Sequence, residues 1–319
     1  MRILLLSLSL VTGTSTLCAQ DTLEKNKTIQ KRYPVFKLVT IQKDYFGDSD
    51  YKVYSKNGNL EHEGELSSNR FNISTIIPLY SKNKLSMHAG ITYTRENTTY
   101  FNKTTPDLYR KSHWNTDDFD AAFSVMYSGK LFNRPIFHRV SFLFGSSNFI
   151  GIKKLTGSFS TSMILKASPE TLTTLGAFVN LDQSSLVPFF PLFSYWHKFT
   201  NSLWELDAVL PQKIIFRRSS TLNGWVSTGV ELNGNSFFLK QDAQMQFRSG
   251  NYEWLSTDIY MHLGYDYLFE KNLLLGLKGG YKNSMSTRLI KVNEKINDYR
   301  SRTKISAPFF NINAAFVIK

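Results

Sequence analysis

Residues 255–269 read LSTDIYMHLGYDYLF, and their alternation decides the fold. Leu255, Ile259, Met261, Leu263, Tyr265, Tyr267 and Phe269 fall on one face of an extended chain, and Asp258, Tyr260, His262, Gly264 and Asp266 on the other. Successive side chains of a strand point to opposite faces, whereas a helix would wind these charges around every side. Three further runs repeat the pattern. Phe119, Ala121, Phe123, Val125 and Tyr127 oppose Asp118, Asp120, Ser124 and Ser128; Leu273, Leu275, Leu277 and Tyr281 oppose Gly276, Lys278, Gly280 and Lys282. At the end of the chain, Phe310, Ile312, Ala314, Phe316 and Ile318 oppose Asn311, Asn313 and Lys319.

Strands of about ten residues with one apolar and one polar face are the signature of a membrane barrel, whose outside meets lipid and whose inside is wet. Composition agrees. The chain carries 25 Phe, 16 Tyr and 5 Trp, yet its mean hydropathy is only −0.25. No stretch after the first twenty residues approaches the ~18 uninterrupted apolar residues of a transmembrane helix. A secreted β-sandwich would also give one buried and one wet face per strand. Strand length, the last strand and alternating short and long connectors favour the barrel. Aromatic residues near strand ends (Tyr100, Trp114, Tyr127, Trp196, Trp204, Trp225, Trp254 and Tyr281) suggest interfacial girdles.

The expected fold is therefore all-β: a transmembrane antiparallel up-and-down β-barrel of about 14 strands, with 12 or 16 as alternatives. Candidate strands begin near residues 35, 70, 84, 117, 136, 155, 171, 189, 203, 213, 222, 236, 252, 273 and 305. That is one too many for a closed antiparallel barrel with both ends on one side of the membrane. The surplus is expected within 189–220, where Pro188, Pro191 and Pro211 interrupt ladders. Short connectors at 81–83, 168–170 and 270–272 read as periplasmic turns, and the polar stretches 46–69, 98–116 and 287–304 as extracellular loops. Asn57-Gly58 marks a hairpin within the first of these.

Residues 1–19 read as a signal peptide. Arg2 supplies the positive start, Ile3–Val11 a short apolar segment, and Leu17-Cys18-Ala19 the cleavage site. Cys18 is the chain's one cysteine, so the mature protein would have none and could hold no disulfide, thiol nucleophile or cysteine metal site. Residues 20–34 read as a flexible periplasmic tail and residues 35–319 as the outer-membrane β-barrel. The net charge of +13 is scattered rather than clustered. With an export signal, that points to outer-membrane lipids and lipopolysaccharide phosphates as partners, not nucleic acid.

Segment Pro308–Lys319 resembles the closing strand recognised by barrel-assembly machinery, although it ends in Lys319, with Phe316 as the nearest terminal aromatic. With Ala19-Gln20 and the stretch Trp204–Gly234, it resembles the uncharacterised outer-membrane β-barrel families of Bacteroidetes-type Gram-negative bacteria. That resemblance implies a barrel and the cell outer membrane as its location. It supplies no catalytic, cofactor or metal residues.

None of the six histidines (His62, His88, His113, His138, His197, His262) has metal-ligand spacing, and Glu61 and Glu63 flank His62 on the opposite face. A lipid hydrolase or acyltransferase would need His262 brought together with His138, Ser141 or Ser256, and no G-x-S-x-G elbow is present. Gly276, Gly279 and Gly280 suit strand packing rather than phosphate binding. No catalytic, cofactor or metal site is assigned. The expected function is a narrow pore or passive transport channel of unknown substrate, its lumen either open or plugged by loops or tail. A structural or binding barrel serving an envelope complex and a lipid-modifying enzyme are the alternatives.

Overall fold

The computed structural model describes residues 33, 36–104, 111–147, 151–185, 187–220, 223–239, 252–270 and 272–318. The signal peptide, and the tail apart from Tyr33, lie outside them. Fourteen antiparallel strands close into one barrel in which each strand pairs with its neighbours in sequence and β1 pairs with β14. They are β1 (Lys37–Ser55), β2 (Leu60–Lys82), β3 (Leu85–Asn102), β4 (Lys111–Leu131), β5 (Arg134–Ser147), β6 (Ile152–Ala167) and β7 (Thr171–Asn180). The circuit continues through β8 (Phe189–Lys198), β9 (Trp204–Leu210), β10 (Lys213–Ser220), β11 (Gly224–Leu239), β12 (Tyr252–Phe269), β13 (Leu273–Lys291) and β14 (Ser301–Val317).

The wall is inside out relative to a water-soluble protein. On β14, Phe310, Ile312 and Phe316 are exposed outward, while Asn311 and Asn313 are buried inward. On β4, Asp118, Asp120 and Ser124 are buried, and on β13 Leu275, Leu277 and Tyr281 face out. An apolar exterior over a hydrogen-bonded interior is stable when lipid is the solvent, and closure leaves no backbone edge unpaired in it. The expected faces of these strands are those observed.

One end, here the base, holds the short turns and the first and last strand ends. Asn83, Phe132, Asn133, Asn223 and Glu270 all take positive φ there, as tight turns between right-twisted strands require. Asparagine tolerates that conformation better than most residues. The other end, the rim, is uneven, with β2 running for 23 residues while β9 and β10 have 7 and 8.

Three sequence expectations need correction. The surplus strand is at 236, not within 189–220: residues 224–239 form one strand, and the segments starting at 189, 204 and 213 are all real. Asn233-Gly234-Asn235 has the composition of a turn, but Asn235 stays extended and spends its side chain on Arg70 and Asp258. Second, much of 46–69, 98–116 and 287–304 is strand. Above the lipid both faces of a strand are wet, so its sequence loses the alternation that marks strands within the apolar belt. The Asn57-Gly58 hairpin is present, with Gly58 at φ +86°. Third, Leu255 meets no lipid: it is buried against Ile290 and Tyr299, for a reason that lies in the site itself.

Candidate functional site

The functional space of a barrel is its lumen, and here three groups of side chains fill it. At the base, Tyr33 precedes β1 and crosses to the far wall. Its hydroxyl donates to Asp266 Oδ2 at 3.0 Å, its ring lies 4.3 Å under the Arg217 guanidinium, and Trp225 meets it edge-on. Burial, reinforced by the Asp266 carboxylate, holds the Tyr33 phenol well above its ordinary value, so it remains a proton donor. Arg217 in turn binds Asp207 at 2.9 Å, and Asp207 also holds Lys213 at 2.8 Å. Below this network Tyr33 packs with Leu268, Leu274, Ala315 and Val317. Across the base, Met126, Phe137 and Ile164 form a second apolar group.

At mid-height, Glu231 accepts from Lys278 at 2.9 Å and lies 3.6 Å from His262. Asp44 accepts from the amides of Gln42 and Asn311. Phe46, Tyr260, Ala307 and Phe309 pack together nearby.

The rim half is closed by the wall itself. β10 pairs with β11 only as far as Glu231, so the tip of the β11–β12 hairpin has no partner on that edge. Its residues are then buried in succession rather than alternately: Asn235, Ser236, Phe237 and Phe238 on β11, and Leu255, Ser256, Thr257 and Asp258 on β12. Both faces touch inward-pointing side chains of the wall. From one face, Asn235 Oδ1 accepts from Arg70 of β2 at 2.8 Å, and Asp258 gathers Asn235, Ser256 and Ser284. Arg70 also pairs with Glu96 at 2.8 Å. From the other face, Glu253, which accepts from Ser236, meets Lys154 of β6, and a β-carbon at Gly145 would sit 3.4 Å from the Phe238 ring. A segment whose two faces contact opposite walls lies within the barrel. The tip of β11–β12 is a tongue dividing the outer lumen, which is why Leu255 keeps its alternation yet meets protein.

Lys154 fastens the tongue. Its ammonium donates to Glu253 Oε2 at 2.7 Å and to Ser184 Oγ at 2.5 Å, and sits 2.9 Å from Asp182. Asp182 and Ser184, both buried, belong to the β7–β8 connector. Burial works to raise the Asp182 carboxyl, but the adjacent Lys154 charge outweighs it and holds the group below its ordinary 3.8. Beside the lock is a cavity of about 20 Å³ lined by Asp118, Asp120, Lys154, Thr156, Ser236, Phe238 and Glu253.

The residues weighed for hydrolytic chemistry are not brought together. His138 points outward and stacks on Phe159, Ser141 pairs with Ser124, and Ser256 bonds Asp258. His262 is inward as expected, beside Glu231. His62 is exposed on β2, and Glu63 next to it faces Lys52. Of the anticipated girdle, Trp204, Tyr127 and Tyr281 are exposed, whereas Trp196 is buried and donates to Glu205, and Trp254 stacks on Phe237. Sequence reasoning did not single out Tyr33, Arg70, Lys154, Asp182 or Glu253. Arg70 and Lys154 are charged residues at inward strand positions, whereas Tyr33, Asp182 and Glu253 occupy a tail, a connector and the nominally outward face of β12, and all gain meaning only when their partners across the barrel are known.

No family model and no curated protein matches the chain. Solved structures of similar shape include an outer membrane channel of Pseudomonas putida F1, with 10% identity and TM-score 0.42 over 90% of this chain and 98% of that one. The Pseudomonas putida toluene transporter TodX is 9% identical with TM-score 0.38, over 92% and 93%. Escherichia coli outer membrane phospholipase A is 8% identical with TM-score 0.31, over 87% and 97%. These likenesses concern the barrel alone.

Proposed function

We propose that this protein is a transport barrel of the bacterial outer membrane, a narrow passive conduit for small polar solutes. In the conformation described it is shut at the rim by the tongue and at the base by Tyr33. One observation carries the reading: ion pairs and hydrogen bonds through Lys154, Arg70 and Tyr33 hold the occluding elements, and the lumen behind them is polar. Apolar packing alone would make a permanent plug. A polar clasp exchanges its bonds for water when it opens, so opening costs little desolvation. Fourteen strands enclose more room than the eight-stranded barrels that side chains fill completely, and the space freed by the tongue becomes a water path.

The base would face the periplasm and the rim the exterior, with the apolar belt among lipids and lipopolysaccharide. The outward aromatics of β14 suit recognition by barrel-assembly machinery. Swelling of proteoliposomes in graded sugars tests the reading. Uptake with a sharp size limit, faster when Lys154 is replaced by methionine, is expected. Impermeability to every sugar and salt in both proteins would sink it.

A further inference from the structure

The chain carries a net charge of +13, but its interior has the opposite balance. Among the described residues, ten buried Asp and Glu stand against four buried Lys and Arg, namely Arg139, Lys154, Arg217 and Lys282. Adding the half-buried Lys37, Arg70, Lys213 and Lys278 with Glu231 gives eleven acids against eight bases among the described residues. Neutral groups hold several of these carboxylates: Asp44 takes the amides of Gln42 and Asn311, and Asp266 takes the Tyr33 hydroxyl. Such donors stabilise a carboxylate without cancelling its charge. The described lining of the lumen therefore carries a net negative charge, which low-dielectric walls focus.

A second observation shows what this interior accommodates. The Lys154 ammonium is itself a cation in a cage, ringed by Glu253, Asp182 and Ser184 within 2.9 Å. The adjoining cavity of about 20 Å³ continues the cage, with Asp118 and Asp120 on its wall. The Thr156 hydroxyl, also lining it, is buried without a hydrogen-bond partner. An acceptor set that already houses a primary ammonium, with further oxygen atoms on the adjoining wall, suits a monovalent cation.

Resting on the transport reading above, we infer that the conduit passes cations in preference to anions, the permeant class being monovalent inorganic cations and small ammonium compounds. Lys154 is a tethered stand-in for them. It occupies an acidic cage while the tongue is closed, and when the tongue swings away Glu253 leaves while Lys154 stays on β6 beside Asp182 and Ser184. The acid lining, not the basic exterior, then sets the sign of selectivity.

The test is the potassium-to-chloride permeability ratio of single channels in a KCl gradient. A ratio several-fold above one is expected for the wild type, rising for Lys154→Met as a fixed positive charge leaves the path. It should fall toward one for Asp44→Asn with Asp266→Asn, changes that keep shape and remove charge. Channels that favour chloride, or a ratio unmoved by either change, overturn cation selectivity while leaving the transport reading intact. Absence of current from the wild type and from Lys154→Met removes both readings together.

Discussion

Replacing Lys154 by methionine keeps most of the side-chain volume and removes the charge that fastens the tongue. The ammonium serves two carboxylates, Glu253 at 2.7 Å and Asp182 at 2.9 Å, with side chains 5%, 1% and 3% exposed for Lys154, Glu253 and Asp182. Removing one member of so buried a set leaves uncompensated charge and costs about 3–5 kcal/mol. The tongue can relieve that cost by leaving the lumen, so the change appears as a shift in its opening equilibrium. At about 1.4 kcal/mol per tenfold, the open population rises roughly a hundred- to a few thousand-fold. Ser236→Cys supplies the probe. Ser236 is buried on the tongue beside Glu253, and Cys18, the chain's one cysteine, lies in the stretch read as a signal peptide. Alkylation of Cys at 236 should accelerate by that factor when Lys154→Met is added. A change of less than about threefold, under 1 kcal/mol, would refute the lock. The effect should also depend on pH. With Lys154 present, Asp182 titrates below 3.8, so its contribution is in place above that pH and is lost as acid passes through the lower folded value. Without Lys154, Asp182 loses the charge that offsets its burial and takes up a proton more readily. The gap between variant and parent should therefore narrow as pH falls below about 4.

Three further outcomes are expected. Leu274→Ala empties a fully buried site among Tyr33, Leu268, Ala315 and Val317, and should lower the stability read from urea unfolding in detergent by about 2–5 kcal/mol. Gly280→Ala places a β-carbon 1.9 Å from the Met261 carbonyl oxygen in the paired wall. The strand must shift, so a loss of at least about 1–3 kcal/mol, or failure to form a heat-modifiable barrel on gels, is expected. Tyr33→Ala removes the Asp266 hydrogen bond and the surface that Arg217 covers, and should increase liposome permeability while the unboiled gel mobility stays that of a folded barrel.

Alternation could be read from residues because lipid imposes it: Phe310, Ile312 and Phe316 against Asn311 and Asn313 face as expected, and the strand number of 14 follows from closure. What was hidden arises where lipid stops. The tongue carries Asn-Gly-Asn, which resembles a turn, and its burial depends on β9 and β10 being too short to support its edge. Nothing local to residues 233–239 records that. The lock has the same character, since Lys154 and Glu253 lie 99 residues apart and on strands facing each other across the barrel. Tyr33 sits in a charged stretch without periodicity, and only the Asp266 and Arg217 it reaches reveal its role.

Single-channel recording of the wild type and Lys154→Met in planar bilayers tests the central claim most directly. Rare stepwise openings are expected from the wild type and frequent openings from the variant, because the lock governs how often the tongue leaves the lumen. Membranes that stay silent with both proteins, or a variant whose openings are no more frequent than the parent's, would contradict it.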